Sequence, residues 1–105
     1  MNQEADALLE SLLDSLLNDF NHWFQRGQEL LSACPDSVMT PDERDVMRVR
    51  IDEGLKAIAA TRALVNATPA AMAVSMEAMT PWHQLVIEVW GLAGRISKAN
   101  AKNSL

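Results

Sequence analysis

The histidines are the side chains with the widest chemical range in this sequence. His83 lies in the stretch TPWHQLVIEVWG, residues 80–91, which also contains two of the three tryptophans. A catalytic base needs a nucleophile or an orienting carboxylate within hydrogen-bond reach. Gln84 and Glu88 are not three or four residues from His83, which is the spacing that brings side chains together on a helix. The sequence therefore favours a packed or hydrogen-bonded histidine over a catalytic one.

The second histidine has polar neighbours at helical spacing. His22 follows Asp19 by three residues and precedes Arg26 by four, so we expect the three side chains to form a polar row. A di-metal site in a helical bundle requires glutamates and Glu-x-x-His units on facing helices. No glutamate precedes a histidine at that spacing here, and we predict no metal site.

The single cysteine is the remaining candidate nucleophile. Cys34 precedes Pro35 at the expected end of a helix, where the negative end of the helix dipole disfavours a thiolate. The common nucleotide, dinucleotide, hydrolase and zinc-protease motifs (GxxxxGK, GxGxxG, GxSxG and HExxH) are all missing from the sequence. We therefore predict no catalytic residue and no cofactor, and expect that the protein is not an enzyme.

The first of the segments that position these residues is a long amphipathic helix. Apolar residues recur every three or four positions from about residue 4 to residue 33, passing through Phe20 and then either Trp23 or Phe24. Pro35 ends the pattern.

Capping residues predict where the next two helices begin. Thr40-Pro41-Asp42-Glu43 combines an N-cap hydroxyl, a proline at the first helical position and a glutamate that completes a capping box. This pattern predicts a helix at about 41–66, and Thr80-Pro81 predicts another at about 81–100.

Between these two helices, Thr68-Pro69 starts a methionine-rich segment that predicts a short helix at 69–78. The fold expected from these elements is all-α, a three-helix up-down-up bundle with an additional short helical segment before the last helix. The length fits a single domain over residues 1–105.

The last helix carries more apolar surface than one buried interface needs. One stripe is formed by Trp82, Leu85, Val86, Val89, Ala93 and Ile96, and a second by Ile87, Trp90 and Gly94. Because a peripheral helix of a three-helix bundle buries one stripe, the second should face another surface. Gly91 and Gly94 would let another helix approach closely, and we predict a homodimer.

Charge is divided unevenly along the chain. Residues 1–43 contain nine acids and one base, a net charge of −8, and the remainder carries +3, which together give the formal charge of −5. An acidic segment suits a protein partner with a basic surface. The sequence pI of about 4.8 disfavours direct nucleic-acid binding.

The cellular location is indicated by cysteine usage and by the first residues. One cysteine cannot form an internal disulfide, and acids stand where a secretory signal would carry positive charge. The most apolar run, LVIEVWGLAG, is short and interrupted by Glu88. We expect a cytoplasmic protein without a membrane span.

These features together predict a non-catalytic protein–protein interaction module, either an adaptor or an inhibitor or regulator. The residues expected at its interaction surfaces are Trp23, Phe24, Trp82, His83, Ile87, Trp90, Gly94, Asp6, Glu10 and Asp14.

Two alternatives remain open at this point. A small apolar ligand or pigment could bind in the bundle core among Trp23, Phe24, Trp82, Trp90 and Met76. An enzyme would require that folding bring His22, His83 and a carboxylate into one cleft.

Several short motifs also carry a family resemblance. They are Asp19-Phe20, Trp23-Phe24, Leu30-Leu31, Ala67-Thr68 and Pro81-Trp82-His83-Gln84-Leu85-Val86 followed by Glu88, Trp90 and Arg95. Over roughly residues 8–96 the chain resembles a family of small cyanobacterial proteins of unknown function. The sequence departs from that family at Pro69-Ala70-Ala71-Met72, where a turn with glycine and glutamine would be expected. The resemblance implies a cyanobacterial cytoplasm and a housekeeping or regulatory role, and it assigns no site.

Overall fold

The computed structural model of the chain describes residues 3–67 and 79–103. Three helices account for nearly all of them: α1, Gln3–Ser32; α2, Pro41–Ala67; and α3, Thr80–Asn103. No strand occurs in either described range. The all-α fold is therefore confirmed, and the helix ends lie within three residues of those expected. The short helix predicted at 69–78 falls outside the described residues.

Contacts between the helices establish their directions. Gln28 on α1 donates a hydrogen bond of 2.9 Å to Asp52 on α2. Near the other end of the pair, Arg62 on α2 binds Asp14 on α1 at 2.7 Å. Later residues of α1 thus meet earlier residues of α2, so the two helices are antiparallel. α3 runs parallel to α1, since Phe20 contacts Trp82 and the Gly27 region contacts Val89.

The capping box predicted at the start of α2 is present. The Thr40 backbone N–H donates to Oε1 of Glu43 at 3.0 Å, and the Glu43 backbone N–H donates to Oγ1 of Thr40 at 3.2 Å. The two bonds satisfy donors that the first turn of a helix would otherwise leave without partners. The hydrogen bonds from Thr40 also lower the pKa of the Glu43 carboxyl from its ordinary value.

The core is apolar and lies along α1, which packs against both other helices. Phe24, Ile51, Val89 and Leu92 are fully shielded from solvent, and no charged or polar side chain is buried among the described residues. Met79, just before α3, is also buried. Removing this much apolar surface from water supplies the main favourable term in the stability of such a bundle.

Two glycines let the helices approach closely in the middle of the bundle. A Cβ atom added at Gly54 of α2 would lie 2.6 Å from Cε2 of Phe24. At Gly27 of α1, it would lie 2.9 Å from Cδ1 of Ile51 and 3.0 Å from Cγ2 of Val89. Glycine is therefore required where the Phe24 ring packs against the α2 backbone.

Candidate interaction surface

The two stripes predicted on α3 are separated in the structure. Its inner stripe is buried apart from the partly buried Ala93, and it includes Leu92, which the sequence pattern assigned to neither stripe. The other side of the helix carries Ile87, Trp90, Gly91 and Gly94, which we call the outer face. Ile87 is 61 % exposed and Trp90 is 50 % exposed. A Cβ atom added at Gly91 or Gly94 would meet nothing within 4 Å.

An aromatic contact holds the main side chain of the outer face in place. The ring of Trp90 lies edge-on to Trp23 of α1, with centroids 5.5 Å apart and an interplanar angle of 84°. Trp23 is partly buried against the core and also contacts the His22 ring at 5.1 Å. Edge-to-face packing of this kind is favourable and restricts the orientation of the exposed indole.

Asp19, His22 and Arg26, which the sequence places in a polar row, are all exposed on α1. Arg26 binds Glu29 at 2.9 Å, and the His22 ring packs against Trp23.

His83 is exposed and packs against an aromatic ring rather than a polar partner. Its centroid lies 4.9 Å from that of Phe20, with the rings 73° apart. Phe20 in turn contacts Trp82 at 5.5 Å. The exposed edge of His83 therefore extends the α1–α3 seam toward the start of α3.

Phe24 and Trp82 must be removed from the predicted surface. Phe24 is 0 % exposed, and Trp82 is 9 % exposed. The Phe24 ring is fixed against the backbone of α2 at Gly54, and Trp82 packs on Phe20. Both rings are used by the core and cannot anchor a partner.

The acidic row predicted on α1 is only partly available. Glu10 is exposed. Asp14 binds Arg62, whose guanidinium also donates to Asn18 at 2.7 Å. This contact joins the acidic and basic halves of the chain. The Asp6 side chain lies outside the part that the structure describes.

An ion pair that the sequence did not reveal crosses from α2 to α3. Arg50 donates to both carboxylate oxygens of Glu88, at 2.8 Å to Oε1 and 2.5 Å to Oε2. These hydrogen bonds lower the pKa of Glu88, although partial burial acts in the opposite direction. They raise the pKa of Arg50 in the same way.

Next to this ion pair, an open groove of about 520 Å³ separates the first half of α2 from α3. Most of its surface is apolar, and Met39, Val46, Met47 and Gly91 are among the residues that line it. Of the residues proposed for a core ligand site, Trp82 lines a smaller cavity of about 280 Å³, and Met76 lies outside the described residues.

Cys34 is buried, and its thiol lies 3.6 Å from the carbonyl oxygen of Pro35. Within residues 3–67 and 79–103, no three His, Cys, Asp or Glu side chains are grouped so that they could hold a metal ion. None of the helices in those ranges combines the length and the apolar character needed to cross a membrane.

Comparison with known proteins identifies a family but no activity. Residues 3–98 match the model of a family described as "Protein of unknown function (DUF2605)". No curated protein and no solved structure matches the chain. Because the family model spans nearly all of α1, α2 and α3, the chain belongs to DUF2605, a family of proteins of unknown function.

Proposed function

We propose that this protein is a non-catalytic protein–protein interaction module and that the outer face of α3 is its contact surface. The observation that carries the proposal is the exposure of Trp90 and Ile87 beside two glycines with open space above them. Tryptophan is enriched among the residues that dominate binding energy at protein interfaces.

The core supports this proposal because it is packed without the residues of the outer face. Leu85, Val89, Leu92 and Ile96 already bury one side of α3. Trp90 and Ile87 lie outside that layer, so their apolar surface is additional to what the bundle buries. Covering such a surface with a partner would release water from it and contribute to affinity.

A second surface suits a basic partner. Glu4, Glu10 and Asp19 of α1 are exposed, in a segment whose net charge is strongly negative. Such charges increase the rate and selectivity of association with a basic surface more than they increase affinity. An adaptor that joins two proteins would use both surfaces, whereas an inhibitor would use either one. The free cysteine supports a cytoplasmic location for this activity.

A second candidate function is the binding of a small apolar ligand. It is favoured by the groove between α2 and α3, whose volume of about 520 Å³ falls in the range of ligand sites. The groove is a different location from the core site expected from the tryptophans. Val46 lines it and is 63 % exposed, so a bound ligand would contact this side chain.

Three variants separate these functions. Trp90→Ala removes the anchor of the outer face, Val46→Ala alters the groove, and Val49→Ala is a matched control because Val49 is 54 % exposed and lines neither surface. Each protein is purified from its native host and weighed intact by native mass spectrometry. We expect an additional subunit on the wild type, Val46→Ala and Val49→Ala, and its loss from Trp90→Ala.

The alternatives give different masses. A bound species of small mass, whose binding is weakened by Val46→Ala and by neither other variant, would support ligand binding instead. The interaction proposal would be contradicted if the wild type carried no additional subunit, or if Trp90→Ala and Val49→Ala retained the same one equally.

A further inference from the structure

We propose that the partner of the outer face is a second copy of this chain, with the two α3 helices packed antiparallel. The inference rests on the proposed function and adds the identity and orientation of the partner. Three features support it: the outer face is complementary in shape to itself, its flanking charges are complementary to themselves, and its aromatic anchor is already held in place.

The outer face is complementary to itself because the bulky Trp90 and the open space at Gly94 lie at equal distances from Leu92. Trp90 and Gly94 lie two residues to either side of Leu92 along α3. In a symmetric dimer, every contact from one subunit to the other occurs twice. A two-fold axis at the level of Leu92 would place Trp90 of each copy over the open space at Gly94 of the other.

The helix backbones can approach closely in this arrangement. Gly91 lies next to the same axis, and it has no atoms in contact with its outward side. Helices that meet over small residues reach the lower end of the usual interaxial range, about 8 Å. At that separation the Trp90 ring would lie flat across the facing helix.

The charges on α3 select the antiparallel orientation. Glu88 precedes the level of Leu92, whereas Arg95 and Lys98 follow it, and all three side chains are exposed. Antiparallel packing brings Glu88 of each copy toward the cationic side chains of the other. Parallel packing would place like charges together. Each oxygen of Glu88 already accepts a hydrogen bond from Arg50 and retains a second lone pair for another donor.

The anchor requires little further ordering. Trp90 rests edge-on against Trp23, which itself packs on the core. A side chain that is already restricted loses less conformational freedom when a partner covers it. The contact with Trp23 thus already restricts the orientation of the Trp90 indole before a second copy binds.

Cysteine cross-linking tests both the partner and the orientation. Ile87 and Lys98 lie on the outward side of α3, at nearly equal distances from Leu92. In the antiparallel dimer, Ile87→Cys of one copy would face Lys98→Cys of the other, within the Cα separation of about 7 Å that a disulfide tolerates. Each variant alone would place its two cysteines on opposite sides of the axis. The wild type, whose only cysteine is buried, gives the background.

We expect mild oxidation to cross-link an equal mixture of the two variants and to leave each variant alone largely uncross-linked. Circular dichroism of each variant is the control for its folding. Cross-linking of each variant with itself would overturn the antiparallel arrangement, because that result requires parallel helices. Failure of the mixture to cross-link above the background would overturn it as well.

The mass in solution separates this inference from the broader proposal. Light scattering over a dilution series should show a dimer whose dissociation constant rises about thirtyfold in Trp90→Ala, the effect of losing a strong anchor. A monomer at every concentration would overturn the inference. If such a monomer still carried a different subunit that Trp90→Ala lost, the proposed function would stand, and if it carried none, both would fail.

Discussion

Two pairs of helical glycines show how differently the inner and outer sides of this bundle are built. At Gly54, an added Cβ atom would lie 2.6 Å from a buried aromatic ring, and at Gly27 it would press on Ile51 and Val89. At Gly91 and Gly94 it would touch nothing within 4 Å. Glycine weakens every helix that contains it by roughly 1 kcal/mol relative to alanine. Close packing between helices explains why glycine is present at the inner pair. Within the described part of one chain, no packing contact explains the outer pair.

The two sides also differ in how much apolar surface each leaves exposed to solvent. Among the described residues, the fully buried large side chains belong to one apolar cluster on the inner side. The outer face instead leaves Trp90 half exposed beside unfilled space. The proposed contact with a second copy gives the outer glycines the same role as the inner ones, which is close approach between helices.

The largest effect should follow from filling the inner site. Gly54→Ala gains up to roughly 1 kcal/mol of helix propensity, but it forces the Phe24 ring or the α2 backbone to move in a packed core. We expect a net loss of about 2 kcal/mol in the free energy of unfolding. Urea denaturation followed by circular dichroism measures this change.

Gly91→Ala is the matched control, because it makes the same change in a helix where the added methyl group meets no atom. It should not destabilise the isolated chain. Equal destabilisation by the two substitutions would show that helix geometry, and not the contact with Phe24, determines the need for glycine.

A smaller effect is expected at the boundary between the two sides, where Arg50 binds Glu88. Glu88→Gln should lower the free energy of unfolding by about 0.5 kcal/mol at pH 7, because both side chains are nearly half exposed and solvent screens the pair. The pKa of Glu88 is lowered in the folded protein. Its contribution is therefore present above the ordinary glutamate range and is lost as the pH falls through the lowered pKa.

Urea denaturation at pH 7 and at acidic pH tests this dependence. Glu53→Gln serves as the control, since it removes an exposed carboxylate from α2 without breaking the pair. A difference between the wild type and Glu88→Gln that stayed constant with pH would contradict this account, because the pKa of Glu88 would then be the same in the folded and the unfolded chain.

Features that depend on neighbouring residues were predictable from the sequence. The capping box of α2 was predicted because its hydrogen bonds join residues three apart, Thr40 and Glu43. The two stripes of α3 were predicted because a helix turns by a constant angle at each residue. The same rule left Trp23 and Phe24 open on α1, because they follow Phe20 by three and four residues and both spacings are typical of one helix face. The structure makes Phe24 the core residue.

Features that join distant parts of the chain could not be predicted in this way. Arg50 and Glu88 are 38 positions apart, and Asp14 and Arg62 are 48 apart. No spacing rule connects such pairs, because their proximity depends on how the helices align. The groove beside Val46 and Met47 has the same origin. The close packing at Gly54 could not be predicted either, since Gly91 and Gly94 also lie inside a helical pattern and a Cβ atom added there meets nothing.

The double variant Gly91→Ala/Gly94→Ala tests most directly whether the outer face is kept open for a partner. Its unfolding by urea, at a concentration low enough for a monomer, should require about 1–2 kcal/mol more than that of the wild type, because both helix positions gain propensity. Light scattering at higher concentration should nevertheless show weaker self-association, since the added methyl groups hold the two α3 helices apart. A variant that is more stable and associates as strongly as the wild type would contradict the account.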